Sequence, residues 1–569
     1  MEQLDTEKLI KTAKHYQVRG QHEDALRTYQ DALAIDPKCS EALHELGMIH
    51  FRSGDISMAI TLLKGATKYD DRRADFHNNL GTILRTSGNL DAAEKAFRKA
   101  LTLDRNLVAA LVNIGSLLLD RLQVAAALKA LNRAVDLAPE NSTALSTYAE
   151  AKKMSGDVVE ALSLQLKAAE TNPFADFVWL NLANTHMDLE QWDESYLAVK
   201  KSIILSPHLC ESWNNLGFIK INYGEFLSAE RYFTQALIIR NNFAPSYSGL
   251  AEVNYLQNQL DDALKFSAIA IQFSPESPHH YKSRRALQLL AKGSMKDGWE
   301  LKEARLCLDH SIDHRGRPPR WDGQSLTDKT LLITAEEGIG DEVFYASCFN
   351  DVINSTKQCF IECDPRLVSL FERSFPSAKV REVERTGSRL KPVQSYYWLP
   401  KNPTVDLSIE TGSLFRFFRS SIDDFQNRGP YLIPQRDLQE KWRARISELG
   451  SGLKIGFCWR SKYPSIFRNH HYTQLTDWLE IFKFSTAHFI SLQYGYDWQE
   501  EINSAPNVLR ERITVFKDAD MSDDMETVFA IASNLDVIIC PSSTVSWIGG
   551  SLNIPTWVFH LRPNHTQLG

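Results

Sequence analysis

The sequence predicts an α-solenoid of about eight two-helix repeats followed by an α/β region built as two lobes. Three observations predict it. The first half of the 569-residue chain matches itself at a shift of 34 residues without insertion. The second half loses that period and shows short, β-rich apolar runs separated by helix-length segments. Between them lies a polar stretch containing Arg315, Gly316, Arg317, Pro318 and Pro319, a composition suited to a boundary. The length exceeds what one hydrophobic core usually serves, so several folding units are expected.

Small residues recur at Ala25, Ala59, Ala93, Ala127, Ala161, Ser195, Ala229 and Ala263, and again seven residues later from Ala32 to Ala270. Each pair shares one helix face, where a small side chain lets a neighbouring helix approach closely. Leu46, Leu80, Ile114, Leu182, Leu216 and Leu250 fill the gap from the partner helix. Gly20, Gly54, Gly88, Gly156 and Gly224 mark the turn inside each unit. Pro37, Pro139, Pro173, Pro207 and Pro275 stand where the second helix must stop. This pattern resembles the tetratricopeptide repeat over residues 6 to 277. The resemblance implies a superhelix whose concave groove binds a protein or an extended peptide. Asn79, Asn113, Asn181 and Asn215 share the sixth position of their units, on the helix that the family turns toward the groove. A carboxamide donates and accepts, so such a row can pair with peptide backbone whatever its sequence. The alternative is that these asparagines are solvated or bonded between repeats, and Glu45, Thr147 and Gly249 interrupt the row.

A cap, Arg284 to Arg305, is expected after the last repeat. The apolar runs then follow: TLLITA from 330, QCFIEC from 358, LKIGFCW from 453, HFISLQ from 488, DVIIC from 536 and TWVFH from 556. Runs of this length read as buried parallel strands. A connector near 430 to 450 divides them, which predicts two facing Rossmann-like lobes whose ligands sit at the carboxyl ends of the strands. The expected domains are 1–277 for the solenoid, 278–325 for cap and linker, 326–430 for the first lobe and 431–569 for the second.

Three loops fall at those strand ends. EEGIGD (Glu336 to Asp341) opens a helix, and Gly338 and Gly340 let backbone pass close to a ligand. WRSKYPSIFRNHHYTQL (Trp459 to Leu475) offers cations, histidines and hydroxyls suited to phosphate. PSSTVSWIGGSLNIPTW (Pro541 to Trp557) turns a strand into a small-residue helix through Ser542, Ser543 and Thr544. The free amides at that helix start suit a diphosphate.

Taken in order, WDGQSLTDKTLLITAEEGIGDEVFYAS, CWRSKYPSIFRNHHYTQLTDW, SLQYG and LDVIICPSSTVSWIGGSLNIPTW resemble the C-terminal domain of bacterial tetratricopeptide-repeat glycosyltransferases. These are related to heptosyltransferases and more distantly to O-GlcNAc transferase, all of the GT-B fold. The resemblance implies transfer of a sugar from a nucleotide-diphosphate donor to a protein or saccharide. Asp341 matches the residue proposed as general base in heptosyltransferases; its alternative role is to cap the helix that follows. Lys462 or Arg468 would meet the leaving diphosphate, Ser542 to Thr544 would cradle it, and Gln493 and Tyr494 would border the nucleobase or serve structure alone. Where many relatives carry Asp-Thr and then histidine, this chain has Ser542, Ser543 and Trp547. Relatives also commonly continue into a further helix, so more chain is expected beyond Gly569. A noncatalytic scaffold carrying a degenerate α/β domain is the other reading, and a nucleotide-sugar epimerase a third.

The formal charge of -7 gives no basic field for nucleic acid. The N-terminus lacks the apolar core of a signal peptide, and no run of about 18 apolar residues follows; a soluble, cytoplasmic protein is expected. Eight scattered cysteines fit reduced thiols. His470 and His471 lack spaced partners for a metal, and neither metal nor cofactor is expected.

Overall fold

A computed structural model describes residues 2–308, 311–388, 391–400, 404–425, 429–461, 472–483, 486–495 and 497–559. The chain forms two compact units, Met1–Leu216 and Gly217–Gly569.

Helices alternate from Glu2–Val18 and His22–Ile35 through to Ala244–Leu256 and Leu260–Gln272, sixteen in all among the described residues up to that point. Their period has a direct packing cause. Alanines 25, 32, 59, 66, 93 and 100 are fully buried. A Cβ placed on Gly47, Gly81 or Gly115 would meet Leu63 at 2.1 Å, Phe97 at 2.6 Å or Leu131 at 2.5 Å, so each glycine is the socket for the large side chain of its partner helix. The expected turns are left-handed: Gly54 has φ 88° and Gly156 has φ 96°. Leu122, Glu190 and Asn258 occupy the same register with φ 57°, 58° and 62°, a conformation that costs a residue with a Cβ. Helices end at Ile35, Leu137, Thr171 and Leu205, two residues before the predicted prolines.

In the second unit the repeats give way to the expected cap, His279–Ala291 and Met295–Lys302, followed by a 3₁₀ turn at Glu303–Cys307. The strands after it are β1 (Asp313–Arg315), β2 (Thr330–Thr334), β3 (Gln358–Cys363), β4 (Ala378–Glu382), β5 (Arg385–Ser388), β6 (Lys391–Ser395) and β7 (Leu407–Glu410). A second set comprises β8 (Leu453–Phe457), β9 (Ala487–Ser491), β10 (Ile513–Thr514), β11 (Val537–Pro541) and β12 (Thr556–Phe559). They build a four-stranded sheet in the order β4-β3-β2-β7, a five-stranded sheet in the order β10-β9-β8-β11-β12, and a small sheet β1-β6-β5. Both larger sheets are wholly parallel, with Ile333 paired to Ile361 on one side and Ile409 on the other. Parallel strands need cover on both faces, which is why β2 is buried at all five positions. One apolar core continues through this unit, with Trp299, Phe415, Trp442 and Phe529 at most 5% exposed.

Candidate functional site

Strand β2 ends at the buried Thr334, and the chain then passes through the buried Ala335 and turns through Glu336, Glu337 and Gly338 into the helix Ile339–Tyr345. Gly338 is the N-cap residue with extended backbone, and Asp341 lies three positions in. Its carboxylate accepts the Gly338 amide at 3.3 Å, so the capping role exists, exercised from the first turn rather than from the cap itself. The loop is held from the cap segment. Arg305 donates Nε to Glu336 Oε1 at 2.8 Å and Nη2 to Glu336 Oε2 at 2.6 Å, and Lys302 bonds the Tyr345 hydroxyl. From the small sheet, Arg385 donates to the Glu336 carbonyl at 2.9 Å.

Buried carboxyls surround this turn. Burial pushes Glu342 up to about 8, although it accepts the Asp364 amide at 2.8 Å. At the end of β3, burial pushes Glu362 up to about 7 against the pull of Arg381, and Gln394 donates to it at 3.2 Å. Burial alone would raise Glu410 at the end of β7 as well. The Arg317 and Arg320 guanidiniums, at 2.6 and 2.7 Å, outweigh it and hold the group at about 2.

The second sheet ends differently. Gln493 is fully buried after β9, and its Oε1 accepts the Trp459 and Arg460 amides at 3.0 and 3.2 Å while its Nε2 donates to the Arg460 and Tyr494 carbonyls. Its carboxamide therefore shapes the loop after β8. Tyr494 bonds Ser461 at 3.3 Å, and burial raises its phenol. After β11, Ser542 and Ser543 lead into the helix Thr544–Ser551. Ser543 is 9% exposed, and its hydroxyl lies within hydrogen-bonding reach of the Cys458 thiol. Lys462, Arg468, His470 and His471 lie outside the described residues.

The first and third loops are brought together. A Cβ on Gly340 would lie 2.9 Å from Thr544 Oγ1 and 3.3 Å from its Cα, so this glycine permits close approach of two helix starts. Phe344 stacks on Trp547 with centroids 4.0 Å apart. Gly338, by contrast, is exposed.

In the first unit each asparagine of the row bonds the preceding repeat. Asn79 pairs its Nδ2 with His44 at 2.9 Å, Asn113 donates to Asn78 at 2.9 Å, Asn181 to Ser146 at 3.0 Å and Asn215 to Asn184 at 2.6 Å. The Oδ1 atoms of Asn113, Asn181 and Asn215 make no hydrogen bond among the described residues, and all three side chains are half-buried.

Sequence reasoning passed over Glu342, Glu362 and Arg305. A signal existed for one of them: Glu362 sits inside the apolar run QCFIEC, where an ionisable residue must be paired or neutral.

Comparison with known proteins supports the helical half. The tetratricopeptide repeat family matches residues 10–63, 44–107 and 112–176. Protein FlbA of Caulobacter vibrioides is 27% identical over 396 residues, 68% of this chain, and the chain spans 66% of that relative's length. Among solved structures, a tetratricopeptide repeat protein from Parabacteroides merdae is 17% identical with TM-score 0.38, covering 44% of this chain and 99% of that one. Pseudomonas aeruginosa PilF is 20% identical with TM-score 0.32, covering 37% and 97%. The N-terminal helices form a tetratricopeptide-repeat solenoid, and a mixed α/β region with parallel sheets follows them. Among the described residues no helix is long and apolar enough to cross a membrane.

Proposed function

We propose that the α/β region is a GT-B-type glycosyltransferase taking its sugar from a nucleoside diphosphate, and that the solenoid selects a protein, peptide or saccharide acceptor. The proposed division follows residues 1–277, 278–325, 326–430 and 431–569. The observation that carries the reading is the run of hydroxyls, Ser542, Ser543 and Thr544, at the start of an eight-residue helix that follows a parallel strand. Hydroxyls at the positive end of a helix suit the oxygens of a bound phosphate.

In this scheme the acceptor hydroxyl oxygen attacks the anomeric carbon, and the bond from that carbon to the diphosphate oxygen breaks with inversion. The acceptor's proton passes to the Asp341 carboxylate. The leaving diphosphate takes up the bonding electrons and is met by Ser542, Ser543, Thr544, Lys462 and Arg468. Gly338 borders the donor, Gln493 and Tyr494 shape the base side, and the scheme calls for no cofactor. Asn79, Asn113, Asn181 and Asn215 would face a peptide acceptor, with the open Oδ1 atoms accepting its backbone amides.

The test is sugar transfer from a panel of radiolabelled nucleotide sugars to a lysate depleted of endogenous donor. Asp341→Asn is expected to lower the rate by roughly 10²- to 10⁴-fold while leaving donor affinity within a small factor. A second reading, a noncatalytic binding scaffold, is favoured by the Phe344–Trp547 stack and the Gly340–Thr544 contact, which fill space between the two loops. Absence of transfer with every donor, alongside retained partner capture, would select it.

A further inference from the structure

We propose that the first lobe carries a second ligand site, a pocket for a neutral sugar ring at the pole opposite the strand ends. A cavity of about 460 Å³ opens there, beside the start of β2 and the end of the helix Phe349–Ser355. That volume lies within the range of small-molecule pockets. One wall is aromatic. Trp321 is 5% exposed, donates its indole N–H to the Gln324 carbonyl at 2.7 Å, and packs on Phe417 with centroids 4.2 Å apart. The Phe418 ring lies 6.0 Å from that of Trp321 and lines the same cavity. Phe417 and Phe418, half-buried against the buried Trp321, present an apolar surface at small entropic cost.

The access to Phe417 depends on Gly323. Its φ is +105°, and a Cβ there would sit 2.9 Å from Phe417 Cε1, so any other residue would strain the turn and press onto the ring. The opposite wall is polar and uncharged. Asn354 is exposed and its carboxamide makes no hydrogen bond among the described residues, which leaves two donors and an acceptor. The Ser355 and Thr356 hydroxyl protons are spent on the Asp351 and Ile353 carbonyls, at 2.6 and 3.0 Å, so those oxygens face the cavity as acceptors. Among the described residues that line it, none is charged.

An uncharged rim lacks the cations that phosphate and carboxylate ligands call for. A pyranose fits both walls: its axial C–H face lies on the aromatic rings, and its hydroxyls pair with Asn354 and the hydroxyl oxygens. This site is independent of the donor site proposed above, and either can stand without the other.

The experiment is saturation-transfer-difference NMR on the full chain with the methyl glycosides of glucose, galactose, mannose and N-acetylglucosamine at millimolar concentration. At least one is expected to show transfer to its ring C–H protons, undiminished by saturating UDP. Asn354→Ala should lower affinity roughly five-fold, the worth of one hydrogen bond, with unchanged thermal unfolding. Ser355→Trp, which fills the cavity from an exposed position, should abolish the signal. The proposal is overturned by absence of transfer from all four glycosides, by displacement with UDP, or by binding that survives both substitutions. Selective binding of a proline-rich peptide in place of the glycosides would overturn it as well.

Discussion

The two large sheets of the α/β region share a parallel design but end in opposite chemistry. Around the ends of β2, β3 and β7 the first sheet gathers Glu336, Glu342, Glu362 and Glu410 with Arg305, Arg317, Arg320 and Arg385. The ends of β9 and β11 in the second sheet carry Gln493, Ser542 and Ser543. Under the proposed function this difference is a division of labour that the fold alone would hide. In that reading the carboxyls of contrasting acidity would suit proton handling and the hydroxyls after β11 an anionic leaving group, while the Gln493 carboxamide is spent on its own loop. The two chemistries meet where Gly340 touches Thr544.

The largest expected effect comes from stripping the charged side. Arg305→Ala leaves Glu336 buried without its two-pronged partner and should cost about 3 kcal/mol, read from urea unfolding followed by tryptophan fluorescence. A loss below about 1 kcal/mol would mean that the clamp is incidental. Next is the seam between the two sides. Gly340→Ala forces a methyl group against Thr544, and about 2 kcal/mol of destabilisation is expected in the same assay; an unchanged midpoint would show that the two helix starts can part freely.

A third test is the pH dependence of the melting temperature. Glu342 has a folded pKa of about 8, above the ordinary carboxyl value. The folded state thus holds a proton that the unfolded chain has released. Stability from this group is full below about pH 4.5 and is lost as pH rises through about 8. Glu342→Gln keeps an acceptor for the Asp364 amide and removes the titration, so its melting temperature should decline less between these limits. Parallel curves for both proteins would contradict the assigned burial. The smallest effect lies in the solenoid: Leu122→Gly relieves a left-handed turn and should add about 1 kcal/mol to stability, since only a Cβ makes that turn costly.

Much of the fold was legible because it is written locally. The 34-residue period, the turn glycines and the run QCFIEC, which coincides with β3, all depend on near neighbours. Strand β4 escaped notice because AKVRE lies at a sheet edge, half-exposed, and carries charges that a buried strand could not. The site was less legible. Arg305 meets Glu336 across 31 residues, and Gly340 meets Thr544 from the other lobe; spacing records neither contact. Gln493 could be read as bordering a base or as structure, and only its five side-chain hydrogen bonds, to Cys458, Trp459, Arg460 and Tyr494, show that it builds the neighbouring loop. The asparagine row divides likewise, since the Nδ2 atoms serve the repeats while three Oδ1 atoms stay open.

The most direct test of the division of labour is calorimetric titration of the purified chain with UDP, GDP, ADP and CMP, repeated with Arg468→Ala and Ser543→Ala. Saturable binding of one nucleotide is predicted, weakened roughly ten-fold or more by Arg468→Ala and less by Ser543→Ala. If none of the four binds, the claim that the second sheet holds the nucleotide is contradicted.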